Sequence, residues 1–177
     1  MVTVDDIKNL RESTGSGVME CKKALAECGG DVAAAEKWLQ ERGSMKAADK
    51  SGRSAKEGLV ESYIHNAGRL GVLVEINCET DFVARNEEFK KFVHDIAMHI
   101  AAAGPAFVSE DDVPEDLLTG LPEEEKADFL KEKVLLNQAY IRDESTTVRE
   151  MLTNLVGKTG ENVVIRRFAR FGLGQEA

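Results

Sequence analysis

The sequence predicts an α+β fold: three short helices first, then a core of strands and helices. Three observations predict it. Residues 1–42 hold three capped, amphipathic segments separated by glycines. Two β-rich runs then face each other across a glycine-containing turn, and a β-branched run lies near the C-terminus. Between them lies one segment with a sustained three–four apolar spacing. With 177 residues, 42% hydrophobic and 31% charged, the chain has the composition of a globular domain plus a small module.

Thr3 caps the first helix, with Asp6 three residues on and Ile7 and Leu10 as its apolar side. The stretch Thr14-Gly15-Ser16-Gly17 breaks it. Ser16 is the expected cap of a second helix, with Val18, Cys21 and Leu25 on one face and Gly29-Gly30 as the stop. Asp31 caps a third, with Val32, Ala35, Trp38 and Leu39 aligned and Gly43 as its stop. Three helices in residues 1–42 make a very small core, of the kind that serves as a binding unit. Residues 43–57 are small, polar and locally basic; they read as a linker with a helical extension through Met45–Lys50.

Residues 58–177 form the core domain. Leu59–His65 and Leu70–Cys78 read as strands joined by Asn66-Ala67-Gly68-Arg69 into an antiparallel hairpin. Val72, Val74 and Ile76 share one face of the second strand, and Glu75 and Asn77 the other. Asn86 caps a helix carrying Phe89, Phe92, Val93, Ile96, Ala97, Ile100 and Ala101, ended by Gly104-Pro105. Residues 109–125 hold eight acidic side chains and no basic one, a solvated loop carrying a short helix. Pro122 at a first helical position opens a helix through Phe129, Leu130 and Val134. Ser145 is the expected cap of another, with Val148, Met151, Leu152, Leu155 and Val156 in register. Asn162–Phe168 reads as the third strand.

Several function classes find no support. Lys+Arg 23 against Asp+Glu 32 gives a net charge of −9, which opposes general nucleic-acid binding. No apolar run reaches the roughly 18–20 residues of a membrane span. The opening residues, Met1-Val2-Thr3-Val4-Asp5-Asp6, do not read as a secretory leader. Cys21, Cys28 and Cys78 are few and odd in number, which points to a reducing cytoplasm and not to a disulfide scaffold. Gly157-Lys158-Thr159 ends like a phosphate loop, but Leu152 stands where the first glycine belongs, so a helix cap and turn is the better reading. Cys21 and Cys28 match no zinc spacing, and His94 and His99, five apart, diverge around their helix. Glu79 and Asp81 beside Cys78 would raise a thiol pKa, which favours a small buried hydrophobe at a strand end over a nucleophile. Nothing in the sequence calls for an enzyme, a metal or a cofactor.

The segment Glu79-Thr80-Asp81-Phe82-Val83-Ala84-Arg85-Asn86 stands out. Thr80 or Asp81 can cap one helical turn and Asn86 the next, so the helix breaks and restarts. Phe82 would sit at the start of the first turn, where side chains project. Seven residues before Phe89, it would join the apolar stripe of a continuous helix, and pattern alone favours that core place.

Here the chain resembles a known family. Glu75-Ile76-Asn77-Cys78-Glu79-Thr80-Asp81-Phe82-Val83-Ala84-Arg85 is similar to a signature of bacterial elongation factor Ts, the nucleotide exchange factors of elongation factor Tu. Leu10-Arg11-Glu12-Ser13-Thr14-Gly15-Ser16-Gly17-Val18-Met19-Glu20-Cys21-Lys22-Lys23-Ala24-Leu25 is similar to the family's other signature, and Asn162–Phe171 also looks familial. The resemblance covers essentially the whole chain, in order.

The resemblance implies a three-helix module similar to ubiquitin-associated domains, then a core with a three-stranded antiparallel sheet packed with helices. It implies guanine nucleotide exchange on elongation factor Tu in the cytoplasm, with no enzyme chemistry, no cofactor and no direct nucleic-acid contact. Residues matching Thr80, Asp81, Phe82 and Val83 face the GTPase. Asp81 and Phe82 would enter a crevice near its magnesium and phosphate site, where the ring wedges between side chains, shifts a helix and disturbs Mg²⁺ coordination. Arg11, Val18 and Met19 would contact the GTPase from the N-terminal module, although Val18 stands where methionine is common. Many members carry a duplicated core and an inserted helical hairpin. This chain has room for one core copy and resembles the short form, which forms homodimers. The competing reading is a protein-binding adaptor without exchange activity.

Overall fold

The computed structural model describes residues 2–175, apart from the side chains of Ser44 and Lys46. In chain order the elements are α1 (Val4–Thr14), α2 (Val18–Glu27), α3 (Val32–Lys50), β1 (Glu57–His65), β2 (Leu70–Cys78), α4 (Asp81–Ala84), α5 (Glu87–Ala103), α6 (Glu115–Thr119), α7 (Glu123–Lys133), β3 (Ala139–Tyr140), β4 (Asp143–Thr147), α8 (Val148–Thr159) and β5 (Val164–Gly172). They group into two compact units, Met1–Ser54 with Leu152–Val163, and Ala55–Met151 with Val164–Ala177.

In the first unit, α1 starts as the sequence predicts. The Thr3 hydroxyl accepts from the Asp6 amide at 3.1 Å, and the Thr3 amide donates to the Asp6 carboxylate at 2.9 Å. Hydrogen bonds donated to it by the Thr3 hydroxyl and amide hold the Asp6 carboxyl below its ordinary pKa. Leu10, Cys21, Ala24, Leu25 and Ala35 are buried together, with Ile7, Val32, Trp38 and Leu39 packed around them. Two expectations need correction. Gly17, not Ser16, occupies the cap of α2 and makes no side-chain bond there. Val18 is 52% exposed: it stands on the side of Cys21 and Leu25 but is not buried with them. It lies nearly in line with Leu25 but two turns, about 10 Å, away along the axis, beyond the small core.

Gly43 does not stop α3, which continues to Lys50. The extension packs on the C-terminal part of α8: the Lys50 ammonium donates to the Val156 carbonyl at 3.5 Å, and Asn162 donates to the carbonyls of Ser51 and Arg53 at 3.3 and 2.8 Å. Burial on a second helix offsets the roughly 1 kcal/mol that a helical glycine costs.

The second unit is built on an antiparallel sheet of order β1-β2-β5, with β2 in the centre. The hairpin turn holds Asn66, Ala67 and Gly68 at positive φ. Gly58 is required by geometry: at φ +140, a Cβ there would stand 2.1 Å from the Ile76 carbonyl oxygen. Val72, Val74 and Ile76 are buried, as are Phe89, Val93, Ile96 and Ile100 of α5, which packs on β1 and β2. Arg170 donates to the Ala101 carbonyl at 3.3 Å, placing a cation at the C-terminal end of α5, and Gly104 caps that helix in the left-handed conformation.

Residues 109–125 form a 3-10 turn (Glu110–Asp112) and α6 within the acidic stretch. The expected Ser145 cap is not formed. Ser145 lies in β4, which pairs with β3 in a small hairpin that the sequence reading did not foresee. Thr147 caps α8 instead: its hydroxyl accepts from the Glu150 amide at 3.2 Å and its amide donates to the Glu150 carboxylate at 2.8 Å. Three residues after Thr147 stands a glutamate; three after Ser145 stands Val148, which cannot close a capping box.

His99 is fully buried and joins α5 to this hairpin. Its Nδ1 accepts from the Ile141 amide at 3.3 Å, which leaves the proton on Nε2, 2.9 Å from the Gln138 carbonyl oxygen. Burial pushes the His99 pKa down.

Two outcomes follow. Gly43→Ala removes a helical glycine where a Cβ would meet the Thr153 methyl at 3.4 Å, an ordinary contact. Calorimetry should show a gain of about 0.5–1 kcal/mol, or roughly 1–4 °C in Tm. For His99, the unfolded chain binds a proton below an ordinary pKa of about 6.5 while the folded chain resists it. Stability should therefore fall as pH drops from about 6.5 towards the lower folded pKa. Urea unfolding across pH 7 to 5 should show a flatter response in His99→Gln than in the wild type; equal slopes would contradict the assignment.

Candidate functional site

The candidate site in the second unit is the turn between β2 and α5. Thr80 leaves the strand in an extended conformation, and its hydroxyl accepts from the Val83 amide at 3.4 Å. Its carbonyl accepts from the Ala84 amide at 3.2 Å, and Asp81 and Val83 carbonyls accept from Arg85 and Asn86. Asn86 then caps α5, its side-chain oxygen accepting from the Glu88 amide at 2.7 Å. The break and restart read from the two caps is therefore present.

That break decides where Phe82 points. Val83 and Ala84 are each 6% exposed, so they define the inward side of α4. Successive helical residues turn by about 100°, which places Phe82 roughly 150° from the mean direction of those two. Phe82 is 79% exposed. The core position that pattern alone favoured is thus corrected: α4 and α5 are separate helices, and the seven-residue spacing to Phe89 does not carry through the restart. Asp81 is exposed and lies 2.9 Å from the Arg85 guanidinium. This i,i+4 pair was legible in the spacing but not singled out. Beneath the turn, Cys78 is fully buried and its thiol donates to the Thr80 carbonyl at 3.1 Å. Of the four residues read from this motif, Thr80, Asp81 and Phe82 face solvent and Val83 faces inward.

In the first unit, Arg11 is exposed on α1, and Val18 and Met19 (52% and 73% exposed) open α2. The two apolar side chains stand free of the helical core because the first turn of α2 overruns it.

The residues weighed for other chemistry stay in structural settings. Gly157-Lys158-Thr159 forms the last turn of α8, with the Thr159 hydroxyl on the Leu155 carbonyl and Gly160 left-handed beyond it. Burial pushes the Cys21 thiol pKa up, away from nucleophilic character. His94 faces Glu61 at 3.1 Å. Among the described residues no group of three His, Cys, Asp or Glu side chains could hold a metal ion, and no helix is long and apolar enough to cross a membrane.

The outward face of the sheet is apolar. Val60, Ile64, Leu73 and Phe171 are all exposed, and Ile64 lies over Gly71, where a Cβ would meet it at 3.2 Å. One ion pair crosses this face, Arg167 to Glu75 at 2.7 Å, and its hydrogen bond holds the Glu75 carboxyl below its ordinary pKa.

Comparison with known proteins places this architecture. The family described as Elongation factor TS matches residues 30–127. A protein named Elongation factor Ts from Caldanaerobacter subterraneus subsp. tengcongensis is 48% identical, over 99% of this chain and 98% of its own length. The chain belongs to the elongation factor Ts family. Relatives of the same name in Coprothermobacter proteolyticus (45% identical, 96% of each chain) and Acetivibrio thermocellus (49% identical, 99% of this chain and 91% of the relative) agree. Membership places the chain among translation elongation factors, and the Elongation factor Ts match includes the exposed Phe82 turn.

Proposed function

We propose that this chain is a guanine nucleotide exchange factor for elongation factor Tu, and that the Asp81-Phe82 turn promotes GDP release by disturbing the partner's Mg²⁺ and phosphate site. Thr80 shapes the turn, Asp81 and Phe82 enter the partner, and Val83 anchors the turn from inside. Arg11, Val18 and Met19 form a second contact on the GTPase. The observation that carries this reading is a large aromatic ring held 79% exposed on a turn whose next two residues, Val83 and Ala84, are buried. An exposed phenylalanine has no stabilising role in the free chain, and its fixed presentation suits insertion into another protein.

Exchange needs no bond chemistry. A factor that binds the nucleotide-free GTPase more tightly than the GDP-bound form weakens GDP binding by the same factor. An acceleration of about 10⁴ corresponds to about 5.5 kcal/mol of differential binding. Burying one phenylalanine supplies roughly 1.5–3 kcal/mol. Phe82 therefore acts together with anchoring contacts, and the exposed Arg11, Val18 and Met19 are suited to supply them.

The same reading includes a homodimer. The apolar face formed by Val60, Ile64, Leu73 and Phe171 suits a second copy of the sheet, covering surface that a monomer leaves in water.

The test is release of a fluorescent GDP analogue from elongation factor Tu. Phe82→Ala should slow release by about tenfold or more while much of the binding survives, as expected for loss of about 1.5–3 kcal/mol. Substituting Arg11 or Met19 should instead weaken binding as a whole. Unchanged release in Phe82→Ala would remove the wedge, and binding without any release would support the adaptor reading. For assembly, light scattering should give the mass of two chains for the wild type and of one for Leu73→Glu, a charge placed in the apolar face.

A further inference from the structure

We infer that Cys78 is a positioning residue for exchange, its buried thiol fixing the carbonyl from which the Phe82 turn is built. The inference rests on the proposed exchange role of that turn. α4 has four residues, too few for its own hydrogen bonds to hold a helix in water. Its direction is set by what its ends are tied to. At its start, the Thr80 carbonyl accepts two donors, the Ala84 amide at 3.2 Å and the Cys78 thiol at 3.1 Å. A carbonyl has two lone pairs, and both are used. Cys78 is the last residue of the central strand, paired with Glu57 and fully buried. The thiol thus links the first carbonyl of a one-turn helix to the central strand of the sheet. A thiol suits the place because it packs as a small apolar group and loses little on leaving water, while keeping one donor. The bland alternative is that Cys78 only fills volume at a strand end.

The two readings separate in a serine and an alanine variant. Cys78→Ser keeps a donor; Cys78→Ala removes it. Under the positioning role, Cys78→Ala lowers the maximal rate of GDP-analogue release about three- to tenfold at saturating factor, the range expected for one hydrogen bond, with the half-saturating concentration unchanged. Cys78→Ser recovers most of that rate. In the factor alone, amide hydrogen exchange at Ala84 speeds up in Cys78→Ala while Val72, Val74 and Ile76 stay protected. Wild-type release and wild-type Ala84 protection in Cys78→Ala would overturn the inference. So would equal losses in both variants with the strand amides deprotected, which is the signature of packing alone. Phe82→Ala run alongside keeps the parent reading distinct. If Phe82→Ala releases GDP normally, the wedge fails, and the Ala84 exchange rate alone decides the role of the thiol.

Discussion

A one-turn helix cannot hide all its side chains, and α4 settles the conflict in one direction. Val83 and Ala84 take the inward side, Thr80 and Asn86 cap the turns on either side of the break, and Phe82 is left in water. Leaving that ring exposed forgoes roughly 1.5–3 kcal/mol of burial. The remaining features of the turn serve to keep that arrangement fixed: the carbonyl of Thr80 shared between an amide and a thiol, and the Asp81–Arg85 ion pair on its outer side. A ring on a flexible loop would lose part of any insertion energy to ordering. A ring on a turn fastened to the central strand does not. Under the proposed exchange role, this pre-organisation lets a modest apolar contact act on the partner.

The two units carry different burdens. The first has a small buried core, and its exposed apolar residues, Val18 and Met19, sit on a helix turn that overhangs it. Its stability draws on the extension of α3 and the C-terminal part of α8, which the first helices alone could not replace. The second unit buries a long amphipathic helix on a three-stranded sheet and keeps the other sheet face apolar. Under the proposed function, the Phe82 turn presents the wedge and the apolar sheet face takes a second copy of the chain.

Where the sequence was legible, the signal was local chemistry. The capping box of Thr3 and Asp6, the caps at Asp31 and Asn86, and the alternation of Val72, Val74 and Ile76 each specify an element from a few adjacent residues. Where the reading slipped, two local signals competed or a distant segment intervened. Ser145 and Thr147 both offered a cap, and the glutamate at position 150 decided for Thr147. Gly43 looked like a stop, but packing on a helix more than a hundred residues later carried α3 past it. The β3–β4 hairpin was missed because its strands are two and five residues long, and a buried histidine from another helix holds it in place.

By itself, the sequence determined the order and type of the main elements, the family signatures, and the double cap that breaks the helix around residue 85, because hydrogen-bonding side chains and apolar periodicity act within a few residues. Tertiary structure alone decided the direction of Phe82, the exposure of Val18, and the pairing of the Cys78 thiol with the Thr80 carbonyl. Those depend on which side of each turn meets the core, and that is fixed only when segments far apart in the chain compete for the same buried space.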